Sequence, residues 1–181
     1  MSSRDFIEPF KLKDFIINML YSYNKVVLLD GDNCNNAIKF SSKNTIQNNK
    51  MLILIFLGKN TNPSILRSRT IIDNIKYIRS NNHLLDAADH LMTVTAVLIK
   101  EHHPNINILF VTNDGFGLGV SQNISEIYNS LPAPIFESEK QFIDTLLKIE
   151  SKELDEIKSI KTDNPLVRTV IKKKKSHERN M

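Results

Sequence analysis

The stretch Met51-Leu52-Ile53-Leu54-Ile55-Phe56-Leu57 contains no polar residue and is framed by Lys50 and by Gly58-Lys59. A strand with one wet face alternates apolar and polar residues, so a continuous run of this kind belongs in the middle of a parallel sheet, covered by helices on both sides. It is too short for a buried helix and far too short to cross a bilayer. The rest of the chain supplies the partners such a strand needs. Lys25–Leu29, Ile75–Arg79, Ile106–Thr112 and Ala133–Phe136 read as further strands. Between and around them, helical periodicity or composition predicts helices over Lys11–Tyr23, in part of Cys34–Asn49, over Ser64–Asp73, Asp86–His102, Val120–Asn129, and Ser138–Ile160. Strand and helix alternate, which predicts an α/β fold: a three-layer α/β/α sandwich around a mainly parallel sheet.

At 181 residues with 41% hydrophobic content, the chain suits one core better than two. We expect one domain over residues 1–160, with the long helix at its end, followed by a basic flexible tail over 161–181. The net charge of +4 is uneven: the tail holds seven Lys/Arg against two Asp/Glu, leaving 17 against 18 in the rest. Within the body, Lys59, Arg67, Arg69, Lys76 and Arg79 face only Asp73 as local opposition. That stretch is either a phosphate-contacting surface or an ordinary solvated face. No apolar run is long enough to span a membrane, and the start lacks a secretion signal, so the expected location is cytoplasmic or nuclear. The single cysteine, Cys34, cannot form an internal disulfide; it reads as a small side chain beside a turn.

Three acidic stretches fall where strands meet loops or helices: Leu28-Leu29-Asp30-Gly31-Asp32-Asn33, Asp86-Ala87-Ala88-Asp89-His90, and Phe110-Val111-Thr112-Asn113-Asp114-Gly115-Phe116. In open α/β sheets the ligand crevice lies beyond the carboxyl ends of the strands, where strand order reverses. Carboxylates gathered there repel one another and lose hydration unless they hold a cation. Asp86 is placed to cap the helix that follows it, whereas Asp89, one turn in, has no capping duty. Hard oxygen ligands without a Cys/His cluster favour Mg²⁺ or Mn²⁺ over zinc. Tyr77 has two readings, a base-stacking platform or a sheet side chain, and His90, His102 and His103 read as structural.

These stretches resemble the motifs of PIN-like nucleases of the NYN type. Val26 to Asn33 is similar to the family's opening strand ending in Asp with Asn three positions on; Leu85 to Leu91 resembles its second motif, and Ile108 to Phe116 its third. The resemblance spans roughly residues 25–136. It implies a PIN-like fold, metal binding by Asp30, Asp89 and Asp114 with Asn33 in support, and Mg²⁺- or Mn²⁺-dependent hydrolysis of a phosphodiester, most often in RNA. Many relatives carry another acid just after the third-motif Asp. Here the chain reads Gly115-Phe116-Gly117, which leaves Asp32 or Asp86 as the candidates for a fourth carboxylate. The implied partner is nucleic acid, single-stranded or structured RNA, with Lys59, Arg67, Arg69, Lys76 and Arg79 on its backbone.

Two other readings stay open. Asp30-Gly31-Asp32 after an apolar strand also resembles the first motif of haloacid-dehalogenase-like phosphatases, and Val111-Thr112-Asn113 their second, with Lys140 available as a later cation. That reading leaves Asp89 without a role. Alternatively, the acids are a residual cluster in a binding or scaffold protein whose C-terminal helix docks a protein partner or a second copy and whose lysine-rich tail meets nucleic acid. A Gly-rich phosphate loop and a Ser-His-Asp arrangement are both absent from the sequence, so triphosphate hydrolysis and acyl transfer have no support.

Overall fold

A computed structural model describes residues 6–34, 36–38, 50–61, 74–82, 86–113, 115–128, 135–136, 138 and 140–144. Among the described residues six strands are formed: β1 (Phe6–Ile7), β2 (Lys25–Asp30), β3 (Met51–Leu57), β4 (Ile75–Arg79), β5 (Asn107–Val111) and β6 (Ile135–Phe136). They make one sheet in the order β1-β4-β3-β2-β5-β6, and every neighbouring pair is parallel. The helices are α1 (Leu12–Met19), α2 (Ala87–His102) and α3 (Phe116–Ile127).

Parallel neighbours require crossovers, and the crossovers cover the sheet. Side chains alternate along each strand, so register assigns the faces. Val26, Leu28, Leu54, Phe56, Ile78 and Phe110 lie on one face and join Ile16 of α1, Met92 and Ala96 of α2, and Val120 and Ile124 of α3 in a single apolar cluster. Val27, Leu29, Ile53, Ile55, Leu57 and Val111 occupy the other face and are fully buried too. Ala37 and Ile38, in the short helical segment 36–38, are buried outside the first cluster. Burial on both faces explains why β3 reads as an unbroken apolar run, and it is compatible with a three-layer sandwich. The sheet ends on the two-residue strands β1 and β6, short edges that offer little backbone for another chain to pair with.

The ends of elements differ from expectation for local reasons. The first helix stops at Met19 and tightens into a 3₁₀ turn over Leu20–Ser22. α3 begins at Phe116, four residues before the expected Val120, although three of its neighbouring residues are glycines. Tertiary packing overrides propensity there, since a Cβ on Gly117 would lie 2.8 Å from Thr112 Cγ2. β1, only two residues long, is an addition to the expected strands. Asp86 does not cap α2: it is exposed, adopts a left-handed conformation (φ 61°), and its side chain makes no cap hydrogen bond. The expected helix over Ser64–Asp73 lies outside the described residues.

The chain divides into two compact units, Met1–Phe142 and Ile143–Met181. The sheet and α1–α3 form the first. Residues 140–144 are helical; the remainder of the expected long helix and the basic tail lie outside the described residues. Among the described residues no helix is long and apolar enough to cross a membrane.

Candidate functional site

Strand order sets the site. From β2 the chain passes to β3 and β4 on one side, and β5 then pairs with β2 on the other, so the order reverses between β2 and β5. Asp30, the last residue of β2, stands at this reversal and is only 1% exposed. A buried carboxylate is tolerated when donors replace its water. Asp30 has at least four. Oδ1 accepts from the backbone N–H of Asp32 (3.1 Å) and of Asn33 (3.3 Å), and Oδ2 accepts from Asn33 Nδ2 (2.8 Å) and from the Thr112 hydroxyl (3.4 Å).

The turn after Asp30 is shaped by close backbone approach. Gly31 N–H donates to Phe56 O at 2.8 Å, and a Cβ at this position would fall 2.6 Å from that oxygen and 2.5 Å from Leu57 Cδ2. Only glycine fits without displacement. Cys34 N–H then closes the turn on Asp30 O at 3.0 Å. Cys34 is buried, with its thiol 3.8 Å from Val111 O, in agreement with the small side chain beside a turn expected from the sequence.

The first and third acidic stretches therefore meet. Besides the bond from Thr112 to Asp30, Asn113 Nδ2 donates to Asn33 O at 2.7 Å, which ties the two strand-end loops together. Asp89 lies in the first turn of α2, half-buried on the flank of the apolar stripe formed by Ala88, Met92 and Ala96. That helix covers the sheet face from which Asp30 projects. Asp114 lies outside the described residues, as do Arg67 and Arg69. Among the described residues, no group of three or more His, Cys, Asp and Glu side chains comes together.

Of the two candidates for a further carboxylate, one is engaged elsewhere and the other is exposed. Asp32 accepts from Gly58 N–H (3.1 Å to Oδ1, 2.9 Å to Oδ2) and from the Thr61 hydroxyl, so it fastens the turn after β3. Asp86 is exposed at the start of α2. Among the basic residues, Lys59 is exposed in the turn after β3, Lys76 stands opposite Leu54 in mid-sheet, and Arg79 ends β4 opposite Leu57. Tyr77 is buried with its ring 5.6 Å from that of Phe6, which removes it as a base-stacking platform. His103 is structural: its Nε2 lies 2.8 Å from Ile16 O and its ring meets Tyr21 edge-on. A carbonyl only accepts, so that nitrogen carries the proton.

Thr112, Asn113, Gly58 and Thr61 were not among the expected site residues. Thr112 had a signal, since it directly follows the apolar run of the third stretch. Gly58 and Thr61 had none, because their role depends on the pairing of β2 with β3. No family model matches this chain, and neither a curated protein nor a solved structure does.

Proposed function

We propose that this protein is a metal-dependent nuclease, acting on RNA in preference to DNA, with a PIN-like arrangement of its acidic residues. The observation that carries the reading is Asp30. It is a buried carboxylate at the carboxyl end of the central strand, at the reversal of strand order, and is held by residues from the first and third acidic stretches. Oxygen donors of this kind suit Mg²⁺ or Mn²⁺, and the proposed ligands are Asp30, Asp89 and Asp114. When bound there, a divalent cation would supply neutralisation of phosphodiester charge and a more acidic water for in-line attack. The chain's own contribution is positional: Asn33 and Thr112 fix the Asp30 carboxylate, and Asn113 holds the two loops in register.

The second reading is a nucleic-acid-binding module of low or no activity. What favours it is the same carboxylate, already engaged by four donors, together with Asp32 being committed to Gly58 and Thr61. The engagement of Asp32 also weighs against the phosphatase reading, which needs that side chain beside Asp30 as an acid.

Incubation of the purified protein with labelled single-stranded RNA and DNA in Mg²⁺ or Mn²⁺ tests the proposal, beside Asp30→Asn and Asp89→Asn variants of intact fold. Cleavage lost by at least about a hundredfold in both variants supports the nuclease. RNA binding without cleavage in either metal supports the binding module. Phosphomonoester hydrolysis that depends on Asp30 and Asp32 but not on Asp89 sinks both.

A further inference from the structure

We infer that Arg79 receives a backbone phosphate of the bound nucleic acid; this rests on the nucleic-acid reading above but not on catalysis. Two of its guanidinium nitrogens, Nε and Nη2, are buried and have no hydrogen-bond partner. Each is a donor only, and a buried donor without an acceptor is opposed by its lost hydration. Such an orphaned group in a folded protein calls for an explanation. The identity of the two nitrogens supplies one. Nε–H and Nη2–H point from the same edge of the planar group, the edge that takes two oxygens of a phosphate side by side. Water would satisfy the donors and leave the charge, whereas an anion answers both.

Position supports the same ligand. Arg79 is the last residue of β4, at the carboxyl rim of the parallel sheet where ligands bind. Through β3 it is two strands from Asp30, roughly 10 Å at about 4.8 Å per strand spacing. Register places Asp30, Phe56 and Ile78 on one face, so Arg79 leaves the sheet on the other. A polynucleotide crossing the rim would meet both. The residue as a whole is only half-buried, so part of its side chain is open to solvent at the rim. Lys59 is an exposed point charge by comparison, and Lys76 stands below the rim.

The test is binding of labelled single-stranded RNA in EDTA, where cleavage plays no part, across a salt series. Arg79→Gln is expected to weaken binding at least about tenfold and to flatten the slope of log K against log salt by about 0.7. Arg79→Lys keeps the slope but does not restore affinity, since the fork is lost. Lys13→Gln, an equal change of charge at an exposed position of α1, leaves both nearly unchanged. Arg79→Gln binding like the unaltered protein, or no more weakly than Lys13→Gln, overturns the inference. So does competition in which inorganic phosphate protects the unaltered protein from heat while RNA affinity ignores Arg79, because the site then serves free phosphate. If Arg79→Gln fails to fold, Arg79→Lys carries the decision: affinity equal to that of the unaltered protein refutes the bidentate contact. Intact, Arg79-dependent binding without cleavage in any metal would refute catalysis alone.

Discussion

Replacing Gly31 by alanine should be one of the most damaging methyl additions available to this chain. The added Cβ would lie 2.6 Å from Phe56 O, 2.5 Å from Leu57 Cδ2 and 2.8 Å from Ile55 Cγ2. Side chains at those distances can shift, but the Phe56 carbonyl belongs to a central strand paired on both edges. Overpacking of a rigid core costs about 1–3 kcal/mol. The Gly31 N–H to Phe56 O bond, now 2.8 Å, stretches as the strands part, which adds about 1 kcal/mol. The sum, about 2–4 kcal/mol, corresponds to a fall in Tm of about 4–16 °C for a protein of this size. Gly119→Ala is the matched control. Gly119 lies inside α3, and a methyl added there would meet nothing within 4 Å, so alanine gains helix propensity and stabilises by about 0.5–1 kcal/mol. Urea titration and thermal melts of both variants decide the matter. A loss below about 1 kcal/mol at Gly31, or equal losses at the two sites, would refute the close-approach argument.

Two further substitutions separate the roles of neighbouring polar groups. Asp32→Ala removes the acceptor for Gly58 N–H and Thr61, so it should cost about 1 kcal/mol and loosen the turn after β3, while any metal-dependent cleavage persists within about threefold; abolished cleavage would return Asp32 to the active site. His103→Leu takes the imidazole donor from Ile16 O and removes the edge-on contact with Tyr21, for about 1–2 kcal/mol, with faster amide exchange confined to α1 and the end of α2. Unchanged exchange in α1 would show that the bond does not join the two helices.

The fold was legible where burial leaves a periodic trace. β3 and β4 lie where their apolar runs placed them, and α2 occupies Ala87–His102 because its stripe recurs every three or four residues. β1 left no trace in two residues, and the early start of α3 depends on Gly117 fitting against Thr112. At the site, Asp30 was legible as an acid ending an apolar strand. The partners that hold it were not, since Thr112 stands 82 positions away and reaches it only because β5 lies beside β2. The Asp32 side chain shows the same limit in reverse: an acid two residues from Asp30 in sequence is pulled toward a turn 26 positions on.

The placement of β5 against β2 also has a consequence for folding kinetics. β5 follows β3 and β4 in the chain, so during synthesis the loop from β2 to β5 can close only after those strands have emerged, and its closure entropy is met late. Until then Asp30 lacks its Thr112 donor and β2 exposes a bare edge of apolar backbone. Molecules that arrest at this stage hold the acid of the site yet lack its frame, and their open strand is the surface most prone to pair with another chain during synthesis.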